Sequence, residues 1–109
     1  MARRKSLTKP SFPTIQPICG VKLATVACGV AYKGRTDLML VELQKGTQIA
    51  GVFTRSLTAS APVKWCRSIL SGGKARAIVV NAGNANAFTG RAGDEIVRAT
   101  ASRAAEVIG

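Results

Sequence analysis

The sequence predicts a mixed α+β chain in which most strands precede the helices. Three observations carry that prediction. Short apolar stretches of strand composition recur between glycine- and charge-marked turns in the first half. Two later segments place apolar residues at helical spacing. Between those two lies one more apolar run, Ala77 to Val80, ahead of an asparagine-rich turn. The expected order is βββαβα, and three consecutive strands joined by short turns suggest an antiparallel meander.

Residues 1–17 hold Pro10, Pro13 and Pro17 together with the basic cluster Arg3, Arg4, Lys5 and Lys9. They read as a flexible, dispensable arm, and residues 18–109 as one α+β segment. Val21 to Val30 alternates loosely and reads as a strand with Gly29 near its end. Lys33-Gly34-Arg35 makes a turn. Leu38 to Leu43 is nearly continuously apolar, as expected of a strand covered on both faces. Lys45-Gly46 turns the chain into a third strand, Gln48 to Thr54. Ser60-Ala-Pro opens the first helix, with Pro62 in its first turn and Cys66 and Ile69 facing inward. Gly72-Gly73 ends it. Arg76 to Asn81 is the fourth strand. The last helix runs from about Asp94 to Ile108, with Val97, Ala101, Ala104 and Ile108 on one face. Glu95, Arg98, Ser102 and Glu106 lie opposite, and Asp94 and Glu95 complement the positive end of the helix.

Composition narrows the function classes. The chain has 109 residues, the size of one small domain, and is 47% hydrophobic with only five aromatic residues, so its core must rest on aliphatic side chains. No apolar run reaches the length of a membrane span, and the N-terminus has no secretory h-region. Cys19, Cys28 and Cys66 are odd in number and lack C-x-x-C spacing, which supports neither a disulfide framework nor a zinc site. Free thiols in a reducing cytoplasm are expected, with Cys28 and Cys66 as small core residues. The absence of His excludes a Ser-His-Asp or Cys-His set within the chain. The formal charge of +11 keeps a basic module for nucleic acid or another anionic partner as the alternative reading. Against it, only the terminal cluster is dense, and no aromatics are interleaved with the charge.

The segment from Ala77 to Gly90 is the most informative. An apolar strand runs into alternating asparagine and small residues, then Phe88-Thr89-Gly90, then a helix. Such a turn can aim backbone N–H groups at an anion. Asn81, Asn84 and Asn86 add neutral donors and acceptors, and Gly83 and Gly90 permit positive φ. The plainer alternative is a connection whose asparagines bond their own backbone. Neither G-x-G-x-x-G nor a P-loop motif occurs, so no dinucleotide or nucleotide cofactor is expected.

Arg76-Ala-Ile-Val-Val-Asn-Ala-Gly-Asn-Ala-Asn-Ala-Phe-Thr-Gly90 resembles the signature of the ornithine acetyltransferases, the bifunctional glutamate N-acetyltransferases of arginine biosynthesis. Gly20-Val-Lys-Leu-Ala-Thr25, Tyr32-Lys-Gly-Arg-Thr-Asp-Leu38, Ala50-Gly-Val-Phe-Thr-Arg55 and Ser60-Ala-Pro-Val-Lys-Trp-Cys66 resemble the same family in the same order. The resemblance implies a sandwich of αββα type, with antiparallel strands and flanking helices, of which this chain is the N-terminal part. It implies a cytoplasmic enzyme moving acetyl from N-acetylornithine to glutamate through a threonine nucleophile, which self-cleavage makes N-terminal. It further implies an oxyanion hole at Thr89 and Gly90, no bound cofactor or metal, and acetyl-CoA as an alternative donor in some members. The implied partners are the rest of the α-chain and the β-chain, in a hetero-oligomer of processed chains. No threonine of this chain other than Thr89 sits in a motif resembling the family's functional sites, so the 109 residues are expected to be inactive alone. A helix N-cap is the plainer role for Thr89.

Overall fold

A computed structural model describes residues 11–109. Residues 1–10 of the expected arm lie outside the described residues. The elements are β1 (Val21–Val26), β2 (Leu38–Leu43), α1 (Ala61–Ile69), a 3₁₀ turn (Leu70–Gly72), β3 (Ala77–Asn81) and α2 (Gly90–Ile108). The three strands form one antiparallel sheet in the order β1-β2-β3. α1 packs against α2, and α2 against β3. The α+β class therefore holds, with one strand fewer than expected.

Register explains what each strand exposes. Leu23 pairs with Val41, Val41 with Ile78 and Met39 with Val80, so one face of the sheet is apolar from edge to edge. Val41, on the central strand, is buried, but Leu23 is 69% exposed and Val80 47%. The cover expected on both faces of β2 is thus not supplied by the described residues. The apolar run of β3 likewise alternates, with Ala77 and Val79 half-buried and Ile78 and Val80 exposed. A face of this kind suits sheet-on-sheet packing in a sandwich.

The expected strand from Gln48 to Thr54 does not form. Gln48 makes a single bridge to Lys74, with Ile49 N–H bonding Gly73 O and Ala75 N–H bonding Thr47 O. Beyond that point the segment has no ladder partner among the described residues, and Val52 is almost fully exposed. Its hold is Arg67 of α1, whose guanidinium donates to Thr54 O and lies 5.6 Å from the Phe53 ring.

The helices keep their predicted faces with shifted ends. Val97, Ala101, Ala104 and Ile108 are the half-buried stripe of α2, and buried Gly93 extends it by one turn. α2 starts at Gly90 rather than Asp94, so Asp94 and Glu95 sit in the second turn and Glu95 pairs with Arg91 at 3.0 Å. In α1 the buried residue is Ala61; Ile69, expected to face inward, is half-exposed. All three cysteines are free. Cys28 is exposed, not a core residue, because its backbone is drawn to Asp37.

Among the described residues Asp37 is the most buried polar one, and it is the reason β1 stops early. Its carboxylate accepts the N–H of Cys28 at 2.8 Å and of Ala31 at 3.2 Å, and the Cys28 thiol lies 3.3 Å away. Its own N–H donates to Val26 O, and its C=O accepts from Ala82 N–H at 2.9 Å. One side chain thereby closes the β1–β2 connection and ties it to the end of β3. The Cys28 N–H, helped by Ala31, lowers the pKa from 3.8 to about 2, although desolvation opposes the shift. The folded value lies below the unfolded one. The stabilisation is therefore complete above pH 3.8 and lost as pH falls through about 2. Asp37→Asn should be less stable than the parent at neutral pH, and denaturant midpoints should converge across that acid window. Parallel curves down to pH 2 would show that the carboxylate is not what holds the loop.

A candidate oxyanion site at the start of α2

β3 delivers Asn81 to the turn, and the asparagines then brace it. Asn81 Nδ2 donates to Asn84 O at 3.4 Å, and Asn84 Oδ1 accepts the Asn86 N–H at 2.9 Å. The plainer expectation, local bonding to the backbone, describes these two side chains. Gly83 has φ +94°, and a Cβ there would lie 1.9 Å from that of Ala31. The loop closed by Asp37 thus presses directly on the turn, which only glycine permits.

Asn86 is the junction. Its C=O accepts the Ala61 N–H at 3.1 Å, joining the start of α1 to the turn. Its Nδ2 donates to Gly93 O at 3.0 Å, and its Oδ1 accepts the Thr89 hydroxyl at 2.6 Å. Asn86 has φ +48° and Phe88 φ +57°. Asparagine tolerates that region, whereas an 88% exposed phenylalanine there is strained with no burial to offset it.

Thr89 occupies the N-cap position of α2, yet its hydroxyl makes no capping bond. It donates back to Asn86 instead, so the cap role is not realised. Gly90 follows with φ +58°. As the first residue of a 19-residue helix its N–H has no intrahelical acceptor. Thr89 and Gly90 line a cleft of about 220 Å³ that also includes Lys64 of α1, Asn86, Phe88 and Asp94. A hydroxyl and a free N–H at the positive end of a long helix suit an anionic oxygen. Nothing lies within 4 Å of a Cβ built on Gly90, so positive φ, not crowding by this chain, accounts for the glycine.

The sequence singled out Thr89 and Gly90, which the structure places side by side in this cleft, but not three of their neighbours. Lys64 entered only as part of the block at residues 60–66. Asp94 was read as a helix start. Gly93 was passed over, although a small residue on the apolar stripe beside the turn was a signal of close approach. Among the described residues no cluster of His, Cys, Asp and Glu could hold a metal ion, and no helix is long and apolar enough to cross a membrane.

Comparison with known proteins decides the family. Residues 22–109, most of the chain, match the ArgJ family. The chain belongs to the ArgJ family. Over 103 residues it is 53% identical to the arginine biosynthesis bifunctional protein ArgJ of Bradyrhizobium diazoefficiens, covering 94% of this chain and 25% of that protein. It is 56% identical to the ArgJ of Brucella suis over the same length and coverage. The chain thus spans about a quarter of the length of the curated ArgJ relatives it matches. Among solved structures it is similar to the ornithine acetyltransferase of Mycobacterium tuberculosis complexed with ornithine, with a TM-score of 0.72 and 43% identity, over 76% of this chain and 44% of that one. The ArgJ of Bacillus halodurans matches with a TM-score of 0.71 at 29% identity, over 77% of this chain and 44% of that one. The fold class and the resemblance read from the five sequence blocks agree with these matches.

Proposed function

We propose that this chain supplies the oxyanion-stabilising part of an acetyltransferase of arginine biosynthesis. The enzyme would move acetyl from N-acetylornithine, or from acetyl-CoA, to glutamate through an acyl-threonine formed outside these residues. One observation carries the reading: in a member of the ArgJ family, Thr89 and Gly90 line one cleft at the N-terminus of α2. Acyl transfer passes through a tetrahedral intermediate whose oxygen is anionic. Thr89 would donate its hydroxyl and Gly90 its N–H to that oxygen, and the helix end would favour the charge. Lys64 in the same cleft would raise the local positive potential, and Asp94, which also lines it, would offset part of that rise. The basic-module alternative rests on the net charge of +11 alone, and part of that charge is already engaged among the described residues. Lys22 pairs with Glu42, Arg91 with Glu95 and Arg103 with Glu106, and Arg35 lies 4.5 Å over the Tyr32 ring.

The test joins these residues to the rest of the Bradyrhizobium relative, giving a family-length enzyme. We expect that enzyme to transfer acetyl from N-acetylornithine to glutamate with ping-pong kinetics, and the 109 residues alone to show no turnover and no self-cleavage. A family-length enzyme that is soluble, melts cooperatively and still transfers no acetyl would overturn the reading. So would robust turnover by the 109 residues, since no nucleophile and base pair is evident in their sequence.

A further inference from the structure

We infer that Asn86 is a positioning residue that reserves the Thr89 hydroxyl for the transition state. The inference rests on the oxyanion reading of Thr89. Its basis is the hydrogen-bond inventory of one amide. Asn86 Nδ2 faces Gly93 O, which can only accept, so the amide orientation is fixed and Oδ1 must face Thr89. Thr89 Oγ1 carries one proton and lies 2.6 Å from Asn86 Oδ1 and 3.3 Å from Asn86 O, so the proton goes to the nearer, side-chain oxygen. The hydroxyl donor is therefore occupied before any substrate binds.

This occupation has a kinetic consequence. A neutral ester or amide carbonyl entering the cleft must compete with Asn86 Oδ1, an acceptor of equal charge. It gains little by taking the proton. An oxyanion forms a charge-assisted bond of roughly twice the strength, so it wins the competition. The hydroxyl then rotates about its Cβ–Oγ bond, and no heavy atom need move. The interaction is thus realised in the transition state and withheld in the ground state, the condition under which it raises kcat rather than lowering KM. The backbone supports this division of labour. The bond from Ala61 N–H uses the Asn86 carbonyl, so removing the side chain leaves the joint between α1 and the turn intact.

The experiment is a double-mutant cycle in the family-length enzyme. Asn86→Gly removes the nearer acceptor and leaves the main-chain oxygen at 3.3 Å, and glycine accepts φ +48° without strain. Asn86→Gly should lower kcat on the order of 10-fold with KM unchanged or lower. In a Thr89→Ala background the same change should cost less than about 2-fold, since both act through one hydroxyl. Asn86→Asp, which keeps the acceptor but sets a carboxylate oxygen against Gly93 O, gives a second readout. Its kcat relative to the parent should rise as pH falls and that oxygen gains a proton to donate. An additive Asn86→Gly effect in the Thr89→Ala background, or an equal rise in KM, would make Asn86 a structural brace and overturn the inference. An Asn86→Gly enzyme that turns over like the parent would do the same. If Thr89→Ala itself leaves kcat unchanged, the oxyanion reading fails and takes the inference with it. If Asn86→Gly does not fold, the Asn86→Asp pH ratio decides, and a flat ratio refutes the positioning role.

Discussion

Replacing Thr89 with Ala in the family-length enzyme should lower turnover by about 10²–10³-fold, the usual cost of one oxyanion donor. Stability should move far less. The hydroxyl caps nothing, and its bond to Asn86 is a single exposed contact, so its loss is worth about 0.5–1.5 kcal/mol. Thr89→Ser keeps the donor and should retain much more activity than Ala. If the family-length enzyme cleaves itself, as the resemblance implies, that reaction should slow in parallel, because it also builds a tetrahedral oxyanion. Gly90→Ala provides a contrast. It keeps the N–H and meets open space, so its penalty is the left-handed backbone, roughly 1–2 kcal/mol. Measuring turnover and melting temperature for each variant separates donor loss from strain. Persistent turnover in Thr89→Ala alongside a lowered melting temperature would leave Thr89 a structural residue only.

Gly93→Ala should be at least as damaging, and for a reason that helix propensity would reverse. Within a helix, alanine is favoured over glycine by about 0.8–1.0 kcal/mol, and Gly93 does not have a left-handed backbone. Propensity alone therefore predicts a more stable protein. Packing predicts the opposite. A Cβ on Gly93 would sit 1.8 Å from Thr89 Oγ1, 2.6 Å from Asn86 Oδ1 and 2.7 Å from Thr89 Cβ. The hydroxyl must leave its place, and overpacking of this sort costs typically about 1–3 kcal/mol. If Thr89 is the oxyanion donor proposed above, turnover should fall by about 10²-fold or more, since that donor is the one displaced. A lower melting temperature with lost turnover is the expected pair of results. A Gly93→Ala enzyme that is both more stable and fully active would show that α2 can shift away from Thr89 at no cost.

Much of this protein is determined locally. Leu38–Leu43 forms the predicted strand to the residue, because its apolar composition and flanking turns leave few alternatives. The stripe Val97, Ala101, Ala104, Ile108 follows from a 3.6-residue period alone. Gly83 and Gly90 do adopt positive φ, as their turn positions require. Thr89 and Gly90 were legible as a pair only through the resemblance of their motif. Composition and spacing left Thr89 open between cap and oxyanion donor.

The rest needed the third dimension, because each feature depends on a partner remote in sequence or on the direction of one side chain. Gln48 to Thr54 has strand composition, but a strand exists only where a neighbour completes its ladder, and after Ile49 none of the described residues does. Asp37 reads as one acid in a turn until its carboxylate is seen closing on the N–H groups of Cys28 and Ala31. The start of α2 moved four residues because the Asn86 side chain and carbonyl hold the turn, not because acids mark the helix end. No periodicity reports which oxygen takes the proton of Thr89. That is decided by Gly93 O, which orients the Asn86 amide and so leaves Oδ1 as the acceptor facing the hydroxyl.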